Sequence, residues 1–133
     1  MVLAPATLER LVEVARRARE HAYAPYSRFH VGAAVLAVDG RVFAGCNVEN
    51  SSFGLTVCAE RNAVAAAVVA GAQPAAVAVV TTRDHVGPCG ACRQVLAEFA
   101  PDMPVILAAH DGSDVRQVGL DELLPGAFRF AGD

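Results

Sequence analysis

Val31-Gly32-Ala33-Ala34-Val35-Leu36-Ala37-Val38-Asp39-Gly40-Arg41-Val42-Phe43-Ala44-Gly45-Cys46-Asn47-Val48 reads as two apolar runs joined by Asp-Gly. Asp-Gly accepts the positive backbone angles of a tight turn. The stretch therefore predicts a β-hairpin with strands over residues 31–38 and 41–48. Everything flanking it alternates helix with strand. Upstream, Leu8, Leu11, Val12, Ala15, Ala18 and Ala22 recur at helical spacing, with Arg and Glu on the other face. They predict a helix over residues 7–22, ended by Tyr23-Ala24-Pro25-Tyr26-Ser27 because Pro25 pushes Ala24 out of helical angles. Downstream, a Ser/Gly-rich loop over residues 50–54 leads to Thr56, an N-cap candidate, and to a helix over residues 57–70 that Gly71 stops. That helix is Ala/Val-rich on nearly every side, as suits burial in a core or an interface. Residues 75–81 form a short apolar strand, and Pro88 stands where a third helix begins, continuing over residues 90–100. Residues 104–109 are a further strand, Asp111-Gly112 a turn and residues 115–118 an edge strand. A short helix over residues 120–124 ends at Pro125-Gly126. This order predicts an α/β fold, a mixed sheet covered by helices.

The bulk composition narrows the function. A chain of 133 residues without linker or repeat is expected to form one domain over 1–133. It is 54% apolar and 19% charged, which suits a packed core and argues against disorder. The apolar surplus exceeds what one small domain normally hides, so a subunit interface is expected to take up part of it. A net charge of −3 offers no excess for a nucleic-acid backbone or an anionic membrane. Every basic side chain is Arg, which excludes a Schiff-base lysine mechanism. Residues 1–6 lack a basic region followed by a long apolar run, and no stretch is long enough to span a bilayer, so a cytoplasmic chain is expected. Four cysteines then read as thiols available for metal or catalysis rather than disulfides.

Two short motifs carry the chemistry. Cys58-Ala59-Glu60 opens the second helix and Pro88-Cys89-Gly90-Ala91-Cys92 opens the third. Helix N-termini carry partial positive charge and unpaired N–H groups, which favour thiolate over thiol. Thiolate is the form that binds zinc. The spacing of Cys89 and Cys92 lets both sulfurs reach one ion, and Gly90 relieves crowding between them. Three protein ligands leave the fourth tetrahedral position for water, as in catalytic zinc sites, and zinc lowers the pKa of that water toward about 7. Three thiolates on one divalent ion sum formally to about −1, which opposes ionising the water. The two helix N-termini and Arg61, a candidate donor to the thiolates, offset this. Glu60 is close enough to reach the water without binding the ion, and can move protons. A ligand-x-Glu motif followed by Pro-Cys-x-x-Cys is the pattern of the zinc deaminases of nucleobases.

Plainer readings exist for each part. Cys46 could complete a structural four-cysteine zinc site, though it lies in a strand twelve residues before Cys58 and would leave Glu60 without a purpose. It is better read as a small buried hydrophobe. Cys89 and Cys92 could form a thioredoxin-like redox pair, which leaves Cys58-Ala59-Glu60 unexplained. His21, His30, His85 and His110 stand at no ligand spacing from the cysteines and read as solvated or hydrogen-bonded. Taken alone, Phe29 and Phe128 are core aromatics, and Asn47 and Glu49 are turn and surface residues.

The motifs together change that. Tyr23-Ala24-Pro25-Tyr26-Ser27, Phe29-His30-Val31-Gly32-Ala33-Ala34, Gly45-Cys46-Asn47-Val48-Glu49-Asn50, Cys58-Ala59-Glu60-Arg61, Pro88-Cys89-Gly90-Ala91-Cys92-Arg93-Gln94 and Leu123-Leu124-Pro125-Gly126-Ala127-Phe128 resemble the small homotetrameric cytidine deaminases. The resemblance implies a three-layer α-β-α fold around a five-stranded sheet. It implies one Zn2+ per subunit on Cys58, Cys89 and Cys92, and hydrolysis of cytidine and deoxycytidine at C4 in pyrimidine salvage. A zinc-bound hydroxide would attack while Glu60 moves protons to N3 and the leaving amine. It implies that Asn47 and Glu49 hydrogen-bond a ribose hydroxyl, that Phe29 packs on the pyrimidine, and that the backbone around Ala59 and Cys89 meets the base edge. Phe128 and the 51–55 loop, with Phe53, would reach a neighbouring subunit's site in a homotetramer with shared active sites. Many members carry Tyr where this chain has Phe53, which removes one polar contact.

Overall fold

The hairpin forms between the two apolar runs, with strands shorter than expected and with Gly40 alone of the Asp-Gly pair at positive φ. β1 (Val31–Ala37) and β2 (Val42–Cys46) pair antiparallel, from Gly32 opposite Cys46 to Leu36 opposite Val42. The structure, a computed structural model, describes residues 2–130. Around the hairpin lie α1 (Pro5–Arg19), α2 (Ala59–Val69), β3 (Pro74–Thr81), α3 (Gly90–Phe99), β4 (Pro104–Ala108), β5 (Arg116–Gly119) and the short α4 (Leu120–Leu123). The strands make one mixed sheet in the order β2-β1-β3-β4-β5. β3 and β4 are the parallel pair, joined through α3 because parallel neighbours need a crossover; β1 with β3 and β4 with β5 are antiparallel.

Strand alternation sorts the core into two halves. One face of the sheet is built mostly from small side chains: it presents Ala34, Ala76, Ala78, Val80 and Ile106 to Leu11, Val12 and Ala15 of α1. Small residues let α1 approach closely. A Cβ on Gly32 would run into the Ala15 carbonyl oxygen, so only glycine fits there. The other face presents Val31, Val35, Val77, Val79, Val105 and Leu107 to Ala63, Val64 and Ala67 of α2 and to Leu96 and Ala97 of α3. Helix, sheet and helices thus form the three layers the resemblance implies.

Boundaries differ from the sequence expectation where a particular group intervenes. α1 starts at Pro5 rather than at residue 7, since proline is preorganised for the first helical turn, and it ends at Arg19 rather than at residue 22. Thr56 does not cap α2. Thr56 instead closes a 3-10 turn over Phe53–Leu55, and Val57 pairs with Val48 through reciprocal hydrogen bonds of 2.9 and 3.0 Å. Val57 is therefore held extended, and the helix starts after Cys58, its N-cap. β5 is displaced by one residue from its expected place. Among the described residues no helix is long and apolar enough to cross a membrane.

Candidate active site

One end of the sheet collects the chemistry-bearing residues. The C-terminal end of β3 lies beside the N-terminal end of β1, with Thr81 opposite Val31, and the end of β2 lies next to that. α3 starts from the loop after β3, and α2 from the loop after β2. Both helices therefore point their N-termini at the same edge, the end of a parallel strand where α/β folds place their ligands. Their N-caps are Cys58 and Cys89, each in extended conformation and neither side chain capping its own helix. The cysteine sulfurs are left to face each other.

Cys58 Sγ lies 3.9 Å from Cys89 Sγ, and Cys89 Sγ lies 3.6 Å from Cys92 Sγ. All three sulfurs fall within 4.8 Å of one another. Tetrahedral zinc with sulfur bonds of about 2.3 Å separates its ligands by about 3.8 Å. The cluster fits one zinc ion with little movement. Cys46, the last residue of β2, is not in this group. Its carbonyl oxygen instead accepts from Asn62 Nδ2 at 2.9 Å, which fastens α2 to the hairpin.

The cluster already favours negative charge. The Cys58 thiol is lowered to about 5, first by a hydrogen bond from Cys92 and then by Arg61 and Cys89. Cys92 moves the other way, because its proton is the one given to Cys58 and because it is buried. Arg61 Nη2 donates to Cys58 Sγ at 3.6 Å, and this contact raises the guanidinium pKa further. Arg61 Nε is buried without a hydrogen-bond partner, while the residue as a whole is half-buried. Glu60, in the first turn of α2, is only 5% exposed. Burial first, and the Cys58 charge second, push its carboxyl up to about 7.

A cavity of about 270 Å³ opens over the cluster. Phe29, Asn47, Glu49, Cys58, Glu60 and Cys89 all line it. Asn47 is buried and anchored at both ends: Oδ1 accepts from Val31 N–H at 2.9 Å and Nδ2 donates to Phe29 O at 2.7 Å. Only one orientation of the amide satisfies both contacts, and each end keeps one further hydrogen-bonding position. Glu49 Oε1 accepts from Tyr26 N–H at 2.9 Å and Ser27 N–H at 3.2 Å. The Ser27 hydroxyl donates to Oε2, and that contact is the first cause holding Glu49 below its ordinary carboxylate range.

The remaining expected residues lie elsewhere. Ala59 is fully buried at the first position of α2, so any contact it makes with a ligand is through its backbone. Phe53 lines a neighbouring cavity of about 440 Å³ with Tyr26, Ser27, Glu49 and Thr56, and packs edge-on against Tyr26 at 5.7 Å. It is 72% exposed. Phe128 is 75% exposed and borders neither cavity; its carbonyl accepts from Gln94 Nε2 at 2.9 Å. Ser27, Thr56, Thr81 and Gly87 line the cavity over the cluster without having been singled out from sequence as site residues. The one available signal was the Tyr-Ser pair after Pro25, whose amides and hydroxyl serve Glu49.

Comparison with known proteins agrees with this geometry. Residues 5–108 match the family described as the cytidine and deoxycytidylate deaminase zinc-binding region. The cytidine deaminase of Sporosarcina psychrophila is 49% identical over 124 residues, covering 91% of this chain and 90% of the relative. That of Halalkalibacterium halodurans is 53% identical over 121 residues, covering 89% and 91%. The crystal structure of cytidine deaminase from Burkholderia pseudomallei superposes with a TM-score of 0.85 at 49% identity, covering 95% of this chain and 100% of that one. The cytidine deaminase structure from Mycobacterium tuberculosis gives 0.79 at 44% identity, covering 91% and 96%. With a cysteine cluster that fits zinc at the matched region and relatives covered almost end to end, the chain belongs to the cytidine and deoxycytidylate deaminase family of zinc enzymes.

Proposed function

We propose that the protein hydrolyses the exocyclic amine at C4 of cytidine, and of deoxycytidine, releasing uridine or deoxyuridine and ammonia. One observation carries this reading: a buried carboxyl, Glu60, shares a cavity with two of the zinc-ligand candidates and with two polar residues suited to gripping a sugar, Asn47 and Glu49. When bound by Cys58, Cys89 and Cys92, zinc supplies the Lewis acidity that makes water a nucleophile near neutral pH. Glu60 accepts the proton of the attacking water and passes protons to N3 of the base and then to the departing amine. A carboxyl near 7 suits this work, since a proton shuttle is most effective when its pKa lies near the operating pH. Phe29 packs on the pyrimidine ring. The backbone at Ala59 and Cys89 contacts the base edge, and Arg61 supports the thiolates.

Asn47 and Glu49 hold a ribose hydroxyl through their remaining hydrogen-bonding positions. A site built this way rejects analogues that lack the hydroxyl, because its polar groups would be left unpaired. A free nucleoside is favoured over a nucleotide, because the residues lining the cavity include two carboxylates and no arginine. A phosphate would meet like charge there.

Homotetramerisation in the cytoplasm completes the reading. Phe53, Leu55, Val68, Val69, Phe128 and Phe130 are large apolar side chains with at least half of their surface exposed, candidates for burial against other subunits. Neighbouring subunits would cover them and bring Phe53 and Phe128 to shared active sites. The deciding experiment is Glu60→Ala, assayed with cytidine by loss of the cytosine chromophore and by zinc content. A deaminase loses turnover by at least a hundredfold and keeps its zinc. A binding module on structural zinc would lose nothing measurable. Parallel assays with deoxycytidine, cytosine and CMP fix the substrate class, and zinc-loaded wild-type protein that turns over none of the four sinks the proposal.

A further inference from the structure

We infer that Ser27 is a positioning residue for the deamination, one hydroxyl tying the sugar-binding carboxylate of Glu49 to the backbone of the base-packing Phe29. The inference rests on the roles proposed above for Glu49 and Phe29. Ser27 Oγ uses both of its capacities at once. It donates to Glu49 Oε2 and accepts from Phe29 N–H at 3.0 Å. The backbone N–H groups of Tyr26 and Ser27 occupy Glu49 Oε1. A carboxylate offers about four lone-pair positions, two on each oxygen. Three are taken, and the free one is on Oε2, the oxygen that Ser27 fixes. A substrate hydroxyl gripped by Glu49 is therefore gripped at the atom whose direction Ser27 sets.

The same hydroxyl steadies Phe29. Arg28, between the two residues, has φ of +61°, a left-handed conformation uncommon for any residue with a side chain. That reversal brings the Phe29 N–H back toward Ser27 Oγ in a side-chain-closed turn. Without the hydroxyl, Arg28 loses one of the contacts that hold its turn, and Phe29 loses its link to the sugar end of the cavity. Ser27 itself lines the cavity that holds Phe29, Glu49 and Glu60. It belongs to neither the zinc cluster nor the proton path. Its loss should weaken substrate binding and leave the chemical step alone, the pattern of a residue that acts equally on ground and transition states.

The test compares wild type, Ser27→Ala and Ser27→Thr with cytidine as substrate, recording KM, kcat, zinc content and melting temperature for each. Ser27 is exposed, so the alanine variant folds. Ser27→Ala should raise KM about tenfold, the worth of one charge-assisted hydrogen bond. Its kcat should stay within about threefold and its zinc and melting temperature should match wild type. Ser27→Thr restores the hydroxyl and should bring KM back to within about threefold. An unchanged KM in Ser27→Ala, a fall in kcat at constant KM, or a threonine variant as impaired as alanine overturns the inference alone, provided the wild type turns cytidine over. A zinc-loaded wild type that leaves cytidine unchanged overturns the proposed function and this inference with it.

Discussion

Replacing Arg61 by Ala isolates the charge balance of the zinc site. The guanidinium touches the cluster through Nη2, 3.6 Å from Cys58 Sγ. At that separation two unit charges attract by about 1 kcal/mol in water and by about 5 kcal/mol at an effective dielectric of 20. Cys92 is buried while Cys89 is exposed, so the site lies between these limits. A hydrogen bond to a charged partner is worth about 1.5–3 kcal/mol, and loss of a group supporting a metal ligand costs about tenfold to hundredfold in affinity. The two scales agree. Arg61→Ala should bind zinc about ten to a hundred times more weakly.

The pH dependence sharpens this test. Arg61 is one of the groups that lower the Cys58 thiol to about 5. Without it the thiol keeps its proton to a higher pH, and zinc must displace that proton in order to bind. The deficit should therefore grow as pH falls from 8 toward 6 and shrink in the alkaline direction. Competition against a chromophoric chelator at several pH values measures it directly. Arg61→Lys should fall between, because lysine restores a charge without the planar fork. An alanine variant that binds zinc as tightly as wild type at every pH refutes the reasoning. So does a deficit independent of pH, which would mean that Arg61 acts by packing.

Other parts of the site make separate predictions. A Cβ at Gly45 would run into the Ala59 carbonyl oxygen and lie 2.5 Å from Ala63 N, so Gly45→Ala must push α2 off the sheet. It should cost at least about 1–3 kcal/mol in thermal unfolding and, by displacing Glu60, at least tenfold in kcat; a full kcat would show that the helix start tolerates movement. Glu49 is held below its ordinary value of 4.5, and protonation removes its acceptors, so KM should stay flat as pH falls and rise only below that value. A rise beginning near pH 6 would contradict the contacts that hold the carboxylate. Phe128→Ala removes a side chain that is 75% exposed in one chain, where truncation normally changes stability by no more than about 0.5 kcal/mol. If Phe128 reaches a neighbour's site, KM for cytidine should rise at least fivefold; an unaltered KM would confine it to the surface.

What the sequence discloses depends on the range of the interactions. The hairpin was legible because two apolar runs and the Asp-Gly between them are local signals. The zinc cluster was legible because its three ligands sit at two helix starts, and the Cys89–Cys92 spacing is itself a geometric statement. The start of α2 was misplaced for a non-local reason: Thr56 has the chemistry of an N-cap, but Val57 pairs with Val48 and keeps the chain extended until Cys58. Ser27 stood in a recognisable motif, but its role was hidden for the same reason. Its partner Glu49 lies 22 residues away on another loop, and no spacing rule links a serine after a turn to a carboxylate after a strand. Asn47 carries a second message that sequence could not give. Its amide is anchored to Phe29 and Val31, so the residue shapes the cavity wall.

The parallel course of α2 and α3 explains why this chain can use three thiolates. Both helices begin at the same sheet edge, and each N-terminus acts as about half a positive charge. Two such ends side by side repel each other unless an anion lies between them. Three thiolates and a divalent ion supply a formal charge of −1, which the two helix ends nearly cancel. The centre so far is close to neutral and gives water little reason to lose a proton. Arg61 adds a whole positive charge through Nη2, 3.6 Å from the Cys58 sulfur. The balance then becomes positive, which favours ionised water. Glu60, buried beside the cluster, is the group proposed above to take the proton. On this account Arg61 governs reactivity as well as affinity. Arg61→Ala saturated with zinc should still be slow, and adding more zinc should not restore its rate.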